Sequence, residues 1–245
     1  MNRIVRIIAA STLTFGLLLC GTFAFAQKSP AFEAKFKIAE GADLRILDDN
    51  IWDYSKTLEP LYVNYNKYTP EQWCNHGSKS FTSAVLKRKA DGKIFAIIGT
   101  HLWWKSEKCK PGSTMARASQ LRLVMAETDI IRAKYGDIPV FVMGDMNCEE
   151  DTVPIQQLIQ GGYVPCYKAA TVYGDNHNGH HICSPGDGYS VESRRRGPDR
   201  ATGAIDHCLI FDPSGKAEVK VFDCIMEKYT IKLTDHYPNL IDVRL

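Results

Sequence analysis

The chain has 245 residues, 44% of them hydrophobic, with 30 Lys+Arg against 28 Asp+Glu. That size suits one domain or a two-sheet sandwich with enough apolar content for a core. Arg3 and Arg6 are the only charges before residue 27, so the remainder balances at 28 of each sign. A balanced domain offers no field-level case for non-specific nucleic-acid binding.

Arg3 and Arg6 precede an almost wholly apolar run from Ile7 to Leu19, and Ala24-Phe25-Ala26 has the small-x-small pattern of a signal-peptidase site. Residues 1–26 therefore read as an export signal and 27–245 as the working domain, periplasmic or secreted. The apolar run is short for a membrane span and lacks a stop-transfer flank, so no stable membrane insertion is expected. Cys20 leaves with the signal; Cys74, Cys109, Cys148, Cys166, Cys183, Cys208 and Cys224 stay. An oxidising compartment permits disulfides, but the spacing gives no framework and no CxxC metal clip. Cys208 and Cys224 read as apolar fillers in strands. Cys166–Cys183 and Cys74–Cys109 are conceivable bridges.

Leu44 to Leu47 alternates into Asn50-Ile51-Trp52, a strand ending in a polar loop. Phe81 to Lys87 and Lys93 to Ile98 flank Asp91-Gly92, a hairpin signal. A long helix starts near Ser113, carries Leu121, Val124, Met125, Thr128, Ile131 and Tyr135 at the helical period, and stops at Gly136. Val140 to Met143 is a continuous apolar strand of the kind covered on both faces. A short helix over Thr152–Ile159 ends at Gly161-Gly162. A long irregular segment, Tyr173 to Thr202, is followed by strands at Ala204–Phe211, Glu218–Met226 and Leu240–Leu245. Hairpins mixed with crossovers favour a mixed α/β sandwich over a doubly wound parallel sheet.

Polar clusters sit where these strands end: Asn50, Thr100-His101, Gly144-Asp145-Met146-Asn147 and Thr234-Asp235-His236. Acid, amide and imidazole groups on rigid strand ends can be held to tight tolerances. Their oxygen atoms suit a hard Mg²⁺ or Mn²⁺, and histidine works near neutral pH. Each cluster also has an ordinary reading. Gly-Asp-x-Asn can be a plain turn, Asp-His a surface pair, and Asn50 a strand terminator.

Taken together and in this order, the motifs resemble the endonuclease/exonuclease/phosphatase superfamily with the DNase I-like fold. The matching stretches are Leu44-Arg45-Ile46-Leu47-Asp48-Asp49-Asn50-Ile51-Trp52, Gly99-Thr100-His101-Leu102-Trp103-Trp104, Val142-Met143-Gly144-Asp145-Met146-Asn147, Ala204-Ile205-Asp206-His207-Cys208-Leu209-Ile210 and Leu233-Thr234-Asp235-His236-Tyr237-Pro238. The resemblance implies a divalent-metal-dependent phosphoester hydrolase, acting on a phosphodiester or phosphomonoester. It implies roles as well. Asn50 and Asp235 would serve the metal, and His101 the scissile phosphate. Asp145 would orient or deprotonate the attacking water, and Asn147 would hold that water and a phosphoryl oxygen. His236 would contact the phosphate, with Asp206 on its far ring nitrogen fixing the tautomer.

The chain departs from the family in one place. A metal-binding glutamate normally follows a helix and a buried strand between the Asn-Ile-Trp and Thr-His-Leu motifs. Here Trp52 runs almost at once into Glu59-Pro60-Leu61-Tyr62-Val63, as if one early helix–strand unit were missing. Glu59 is the nearest acid that would substitute, ahead of Glu71 and Asp49. A relative that binds a phosphorylated ligand without turnover is therefore a second reading, and a secreted nuclease a third. For the substrate, Arg194, Arg195 and Arg196 can grip phosphate oxygens or belong to a solvated, charge-balanced loop. Trp103 and Trp104 can stack on a ligand or pack beneath the loop. The neutral charge points to a phosphorylated small molecule or lipid headgroup ahead of a nucleic acid, handled by a monomer.

Overall fold

The structure is a computed structural model that describes residues 4–9, 58–68, 79–175, 203–225 and 236–245. Two sheets form the sandwich. The first is six-stranded, in the order β2 (Leu58–Lys67), β3 (Ser80–Arg88), β4 (Ile94–His101), β5 (Val140–Asp145), β8 (Asp206–Phe211) and β6 (Val164–Pro165). The second is four-stranded, in the order β1 (Ile4–Ala9), β10 (Asn239–Arg244), β9 (Glu218–Cys224) and β7 (Val172–Tyr173). Three helices are described: α1 (Ser113–Tyr135), α2 (Val153–Gln160) and α3 (Cys166–Ala169). This is the mixed α/β sandwich with flanking helices expected from the sequence.

The strands of the six-stranded sheet are apolar on both faces because each face meets a different partner. Leu86, Phe95, Ile97, Phe141, Met143 and Ile210 face the second sheet, where Val219, Phe222, Ile241 and Val243 receive them. Val85, Ala96, Ile98, Val140, Val142 and Leu209 face Leu121, Val124 and Ile131 of α1 and Ile155 and Leu158 of α2. Alternate residues along one strand thus feed two separate cores. The hairpin at Asp91-Gly92 forms as the dipeptide predicts: Gly92 takes φ 72° and its N–H bonds to the carbonyl of Arg88.

Helix α1 begins one residue earlier in its cap than expected. Gly112 is the cap, at φ 88°, and Ser113 is already helical. The Ser113 hydroxyl bonds to the Lys110 carbonyl and receives the indole N–H of Trp103 instead of capping the helix. Gly136 ends the helix at φ 78°, its N–H closing on the Arg132 carbonyl.

Strand β2 carries no strong apolar alternation, and pairing with β3 makes it a strand. A buried carboxylate secures it: Glu127 of α1 accepts hydrogen bonds from Tyr62, Asn64 and Ser83. Strand β1, which lies in the segment read as an export signal, pairs antiparallel with β10. Cleavage after Ala26 would leave β10 at that edge. The expected strand Leu44–Leu47 and most of Tyr173–Thr202 lie outside the described residues. No described helix is long and apolar enough to cross a membrane.

Candidate active site

Strands β4 and β5 run parallel, with Gly99 opposite Met143, so Thr100-His101 and Gly144-Asp145 emerge at the same sheet end. The approach is close at Gly144. A Cβ there would sit 1.9 Å from the Thr100 carbonyl oxygen, and its φ is 138°. Only glycine allows the chain to pass this point and present Asp145. Asp206, the first residue of β8, is paired directly with Asp145. His236 enters from the other sheet just ahead of β10.

These side chains meet. The Nδ1 of His236 lies 2.6 Å from Asp206 Oδ2, and its Nε2 lies 3.6 Å from Asp145 Oδ2. His101 approaches the same oxygen through Nε2, at 3.4 Å. The other Asp145 oxygen accepts the backbone N–H of Asn147 at 2.9 Å. Asp145, Asp206 and His236 are all buried. Four of the expected catalytic residues therefore form one cluster drawn from β4, β5, β8 and the approach to β10.

Asn147 supports the cluster from beside it. It adopts a left-handed backbone, φ 52°, and its amide Nδ2 donates to the Leu102 carbonyl at 3.1 Å. One amide N–H and the amide oxygen are left for a ligand. Asn tolerates this backbone better than most residues, which explains its place in the turn.

A residue that sequence reasoning missed completes the site. Lys79, immediately before β3, hydrogen-bonds His101 Nε2 through its Nζ. Ser80 pairs with His101 across the β3–β4 ladder, which brings Lys79 to this end of the sheet. Tyr68 anchors the lysine: its N–H bonds to the Lys79 carbonyl, and its hydroxyl bonds Thr100 Oγ1 at 2.7 Å. A lone lysine in a polar stretch gives no sequence signal. Its place follows only from strand register.

Burial sets the electrostatics. It raises the Asp145 carboxyl to about 7, reinforced by the Asp206 charge and opposed by His236, the Asn147 N–H and Lys79. Burial lowers His101 to about 3, with Lys79 and His236 adding repulsion, so His101 is neutral at neutral pH. Burial also lowers Lys79 to about 8, against the pull of Asp145. A carboxylate and an ammonium poised near neutrality in one pocket mark a functional site.

Several expectations fall differently. Glu59 cannot join this cluster. It faces Lys87 and pairs with it at 2.7 Å, and Lys87 in turn lies opposite Ile94 at the start of β4. His101 is at the far end of β4, roughly 23 Å away along the strand at ~3.3 Å per residue. Trp103 is fully buried, its indole on Ser113 and its backbone N–H on Gln120, so it cannot stack on a ligand. Its neighbour Trp104 is 59% exposed, with the Lys105 ammonium 5.3 Å from its ring centre. The guanidinium of Arg117 holds this loop by bonding the Trp103 and Lys105 carbonyls. Cys109 and Cys166 carry free thiols, and their partners in the bridges considered from sequence, Cys74 and Cys183, lie outside the described residues. Asn50, Asp235, Arg194, Arg195 and Arg196 lie outside the described residues.

Asp145, Asp206 and His236 each offer a ligand atom, all within 4.8 Å of one another. The carboxylates offer oxygen atoms of the kind a divalent cation takes, while His236 is engaged with Asp206 through Nδ1. Among the described residues, no glutamate joins them.

No known sequence family matches the chain, and no curated protein does either. Solved structures do. An endonuclease/exonuclease/phosphatase from Bacteroides vulgatus matches with a TM-score of 0.57 at 23% identity, over 78% of this chain and 67% of the other. A mannosyl-6-phosphatase from Bacteroides thetaiotaomicron matches with a TM-score of 0.59 at 14% identity, over 78% and 68%. TDP2 from D. rerio, complexed with a single-strand DNA product, gives 0.59 at 11% identity over 99% of each chain. The chain has the DNase I-like fold of the endonuclease/exonuclease/phosphatase proteins.

Proposed function

We propose that this chain is an exported, divalent-metal-dependent hydrolase of phosphoric esters, acting through Asp145, His236, Asp206, His101 and Lys79. The convergence of Asp145 and the Asp206–His236 pair carries the reading, in a fold shared with a named phosphatase and with a protein bound to a DNA product. Asp145 orients a water and takes its proton as it attacks phosphorus. His236, held by Asp206, presents Nε2 to the phosphoryl oxygens and stabilises their growing charge when protonated. Neutral His101 passes the Lys79 charge toward the same oxygens through their hydrogen bond. Asn147 fixes the rotamer of Asp145 through its N–H. A divalent cation, with Asp145, Asp235 and Asn50 as proposed ligands, would supply positive charge to the phosphoryl group.

The proposed substrate is a phosphorylated small molecule or lipid headgroup, since the domain charge is balanced. Trp104 is the aromatic surface near the site that such a ligand can use, and Arg194–Arg196 are proposed phosphate contacts. Purified protein, incubated with a generic phosphodiester and a phosphomonoester in Mg²⁺ or Mn²⁺, should release product and stop on adding EDTA. No turnover of either ester under any cation would reject the hydrolase reading.

The position of Glu59 favours a second reading, a relative that binds a phosphorylated ligand with little turnover. It requires stabilisation by inorganic phosphate that survives EDTA.

A further inference from the structure

Two thiols outside the active site are placed for a covalent bond. Strands β6 and β8 run antiparallel with Val164 opposite Ile210 and Pro165 opposite Leu209. Just past the end of β6, Cys166 opens α3, and it meets Cys208 of β8. The sulfur atoms are already 3.4 Å apart. Both cysteines are buried, and both point into the core between the two sheets.

We propose that Cys166 and Cys208 form a disulfide between the start of α3 and β8 when the chain folds in an oxidising compartment. The oxidant is a small or protein disulfide. The thiolate of one cysteine attacks a sulfur of that disulfide, forming a mixed disulfide and releasing one thiolate. The thiolate of the second cysteine then attacks the Sγ of the first, forms the Cys166–Cys208 bond and releases the oxidant's other sulfur as a thiolate. The two thiol protons pass through solvent to the two released thiolates, so the oxidant is reduced to two thiols. Burial holds the Cys166 thiol well above its ordinary range, so exchange belongs to the folding chain or to a locally opened state.

The bond would act on the active site and on the segment that precedes it. Cys208 follows Asp206 by two residues on β8 and so shares its face of the sheet. The closed ring spans Cys166 to Cys208 and contains the Arg194–Arg196 segment. A cross-link of that length restricts the unfolded chain strongly. The proposal depends on export only for its setting in the cell, and the chemistry can be tested without it.

The test is peptide mapping of the full chain refolded in a buffer of reduced and oxidised glutathione, quenched with N-ethylmaleimide under denaturing conditions. The expected result is a peptide joining Cys166 to Cys208 that accounts for most of both residues and disappears on reduction. Thermal melting of the same sample should shift downward after reduction. Alkylation of both cysteines in most molecules would overturn the proposal, as would a dominant peptide joining either one to another cysteine. Cys166→Ala should leave Cys208 alkylated and remove the melting shift; should that variant not fold, the map of the unaltered chain decides. Hydrolytic activity is a separate measurement, so loss of the bridge and failure of the hydrolase reading are distinguishable.

Discussion

Asp206 Oδ2 lies 2.6 Å from Nδ1 of His236, a pairing that joins the first residue of β8 to the entry of β10 across the two sheets. The bond leaves Nε2 of His236 directed toward Asp145, 3.6 Å away. It is a positioning contact, since Asp206 acts on the reaction through the imidazole. Asp206→Ala should lower kcat/KM by about 10–100-fold, the usual effect of losing a carboxylate that orients a histidine. Asp206→Asn should recover part of the loss. Steady-state kinetics of the two variants checks this, and equal activity in both and in the unaltered chain would remove Asp206 from the mechanism.

Lys79 gives the reaction an alkaline limit. Its ammonium is pushed down to about 8, so kcat/KM should fall as pH rises through that value and the charge at the phosphate is lost. Lys79→Arg keeps the charge at any accessible pH, and its profile should stay level where the unaltered chain declines. A pH–rate profile from 6 to 10 for both proteins is the measurement. Identical alkaline limbs would exclude Lys79.

Asp145 ties stability to pH with a definite sign. Its folded pKa of about 7 lies above the ordinary 3.8, so the folded state holds this proton more tightly than the unfolded chain. That contribution is present below the ordinary value and is lost as pH rises through about 7. His101 acts oppositely. Its pKa falls from 6.5 to about 3, so its contribution is lost as pH falls through that window. Metal-free Asp145→Asn should therefore melt a few degrees higher than the unaltered chain at pH 8, at roughly 2–4 °C per kcal/mol relieved. At pH 4 the two should converge. Because a cation competes with the proton, Mg²⁺ or Mn²⁺ should also bind the unaltered chain more tightly as pH rises through about 7. Calorimetry at several pH values checks both statements.

Trp103 and Trp104 should separate cleanly. Removing the buried ring, Trp103→Ala, should destabilise the fold by about 3–5 kcal/mol. Trp104→Ala should leave the melting temperature almost unchanged and raise KM for a substrate that stacks on it. Denaturation and kinetics on the pair distinguish a core residue from a ligand contact.

Much of the frame was legible because its signals are local. The Asp91-Gly92 turn, the period of α1 and the apolar run of β5 each specify an element without help from distant residues. The mixed sandwich followed from hairpins set among crossovers. The Asp145, Asp206, His101 and His236 cluster was legible through motifs, since each sits at the end of a strand. Register was not legible, and the misses trace to it. Glu59 is the acid nearest in sequence to where the resemblance would put a glutamate, yet antiparallel pairing carries it to the wrong end of the sheet. Lys79 has no motif, yet the same pairing carries it to the right one. Trp103 and Trp104 are adjacent and chemically alike, and only the packing of α1 decides which is buried. Cys166 opens a short helix and Cys208 lies in a strand, with a long segment between them, so nothing in their spacing links them.

The central claim is that Asp145 and His236 carry out phosphoester hydrolysis. Its most direct test is kcat/KM on one phosphoester, with saturating Mg²⁺ or Mn²⁺, for the unaltered chain, Asp145→Asn and His236→Asn, each confirmed folded by circular dichroism. Measurable turnover is expected in the unaltered chain, with losses of at least about 100-fold in each variant. Turnover that is unchanged in both folded variants would contradict it.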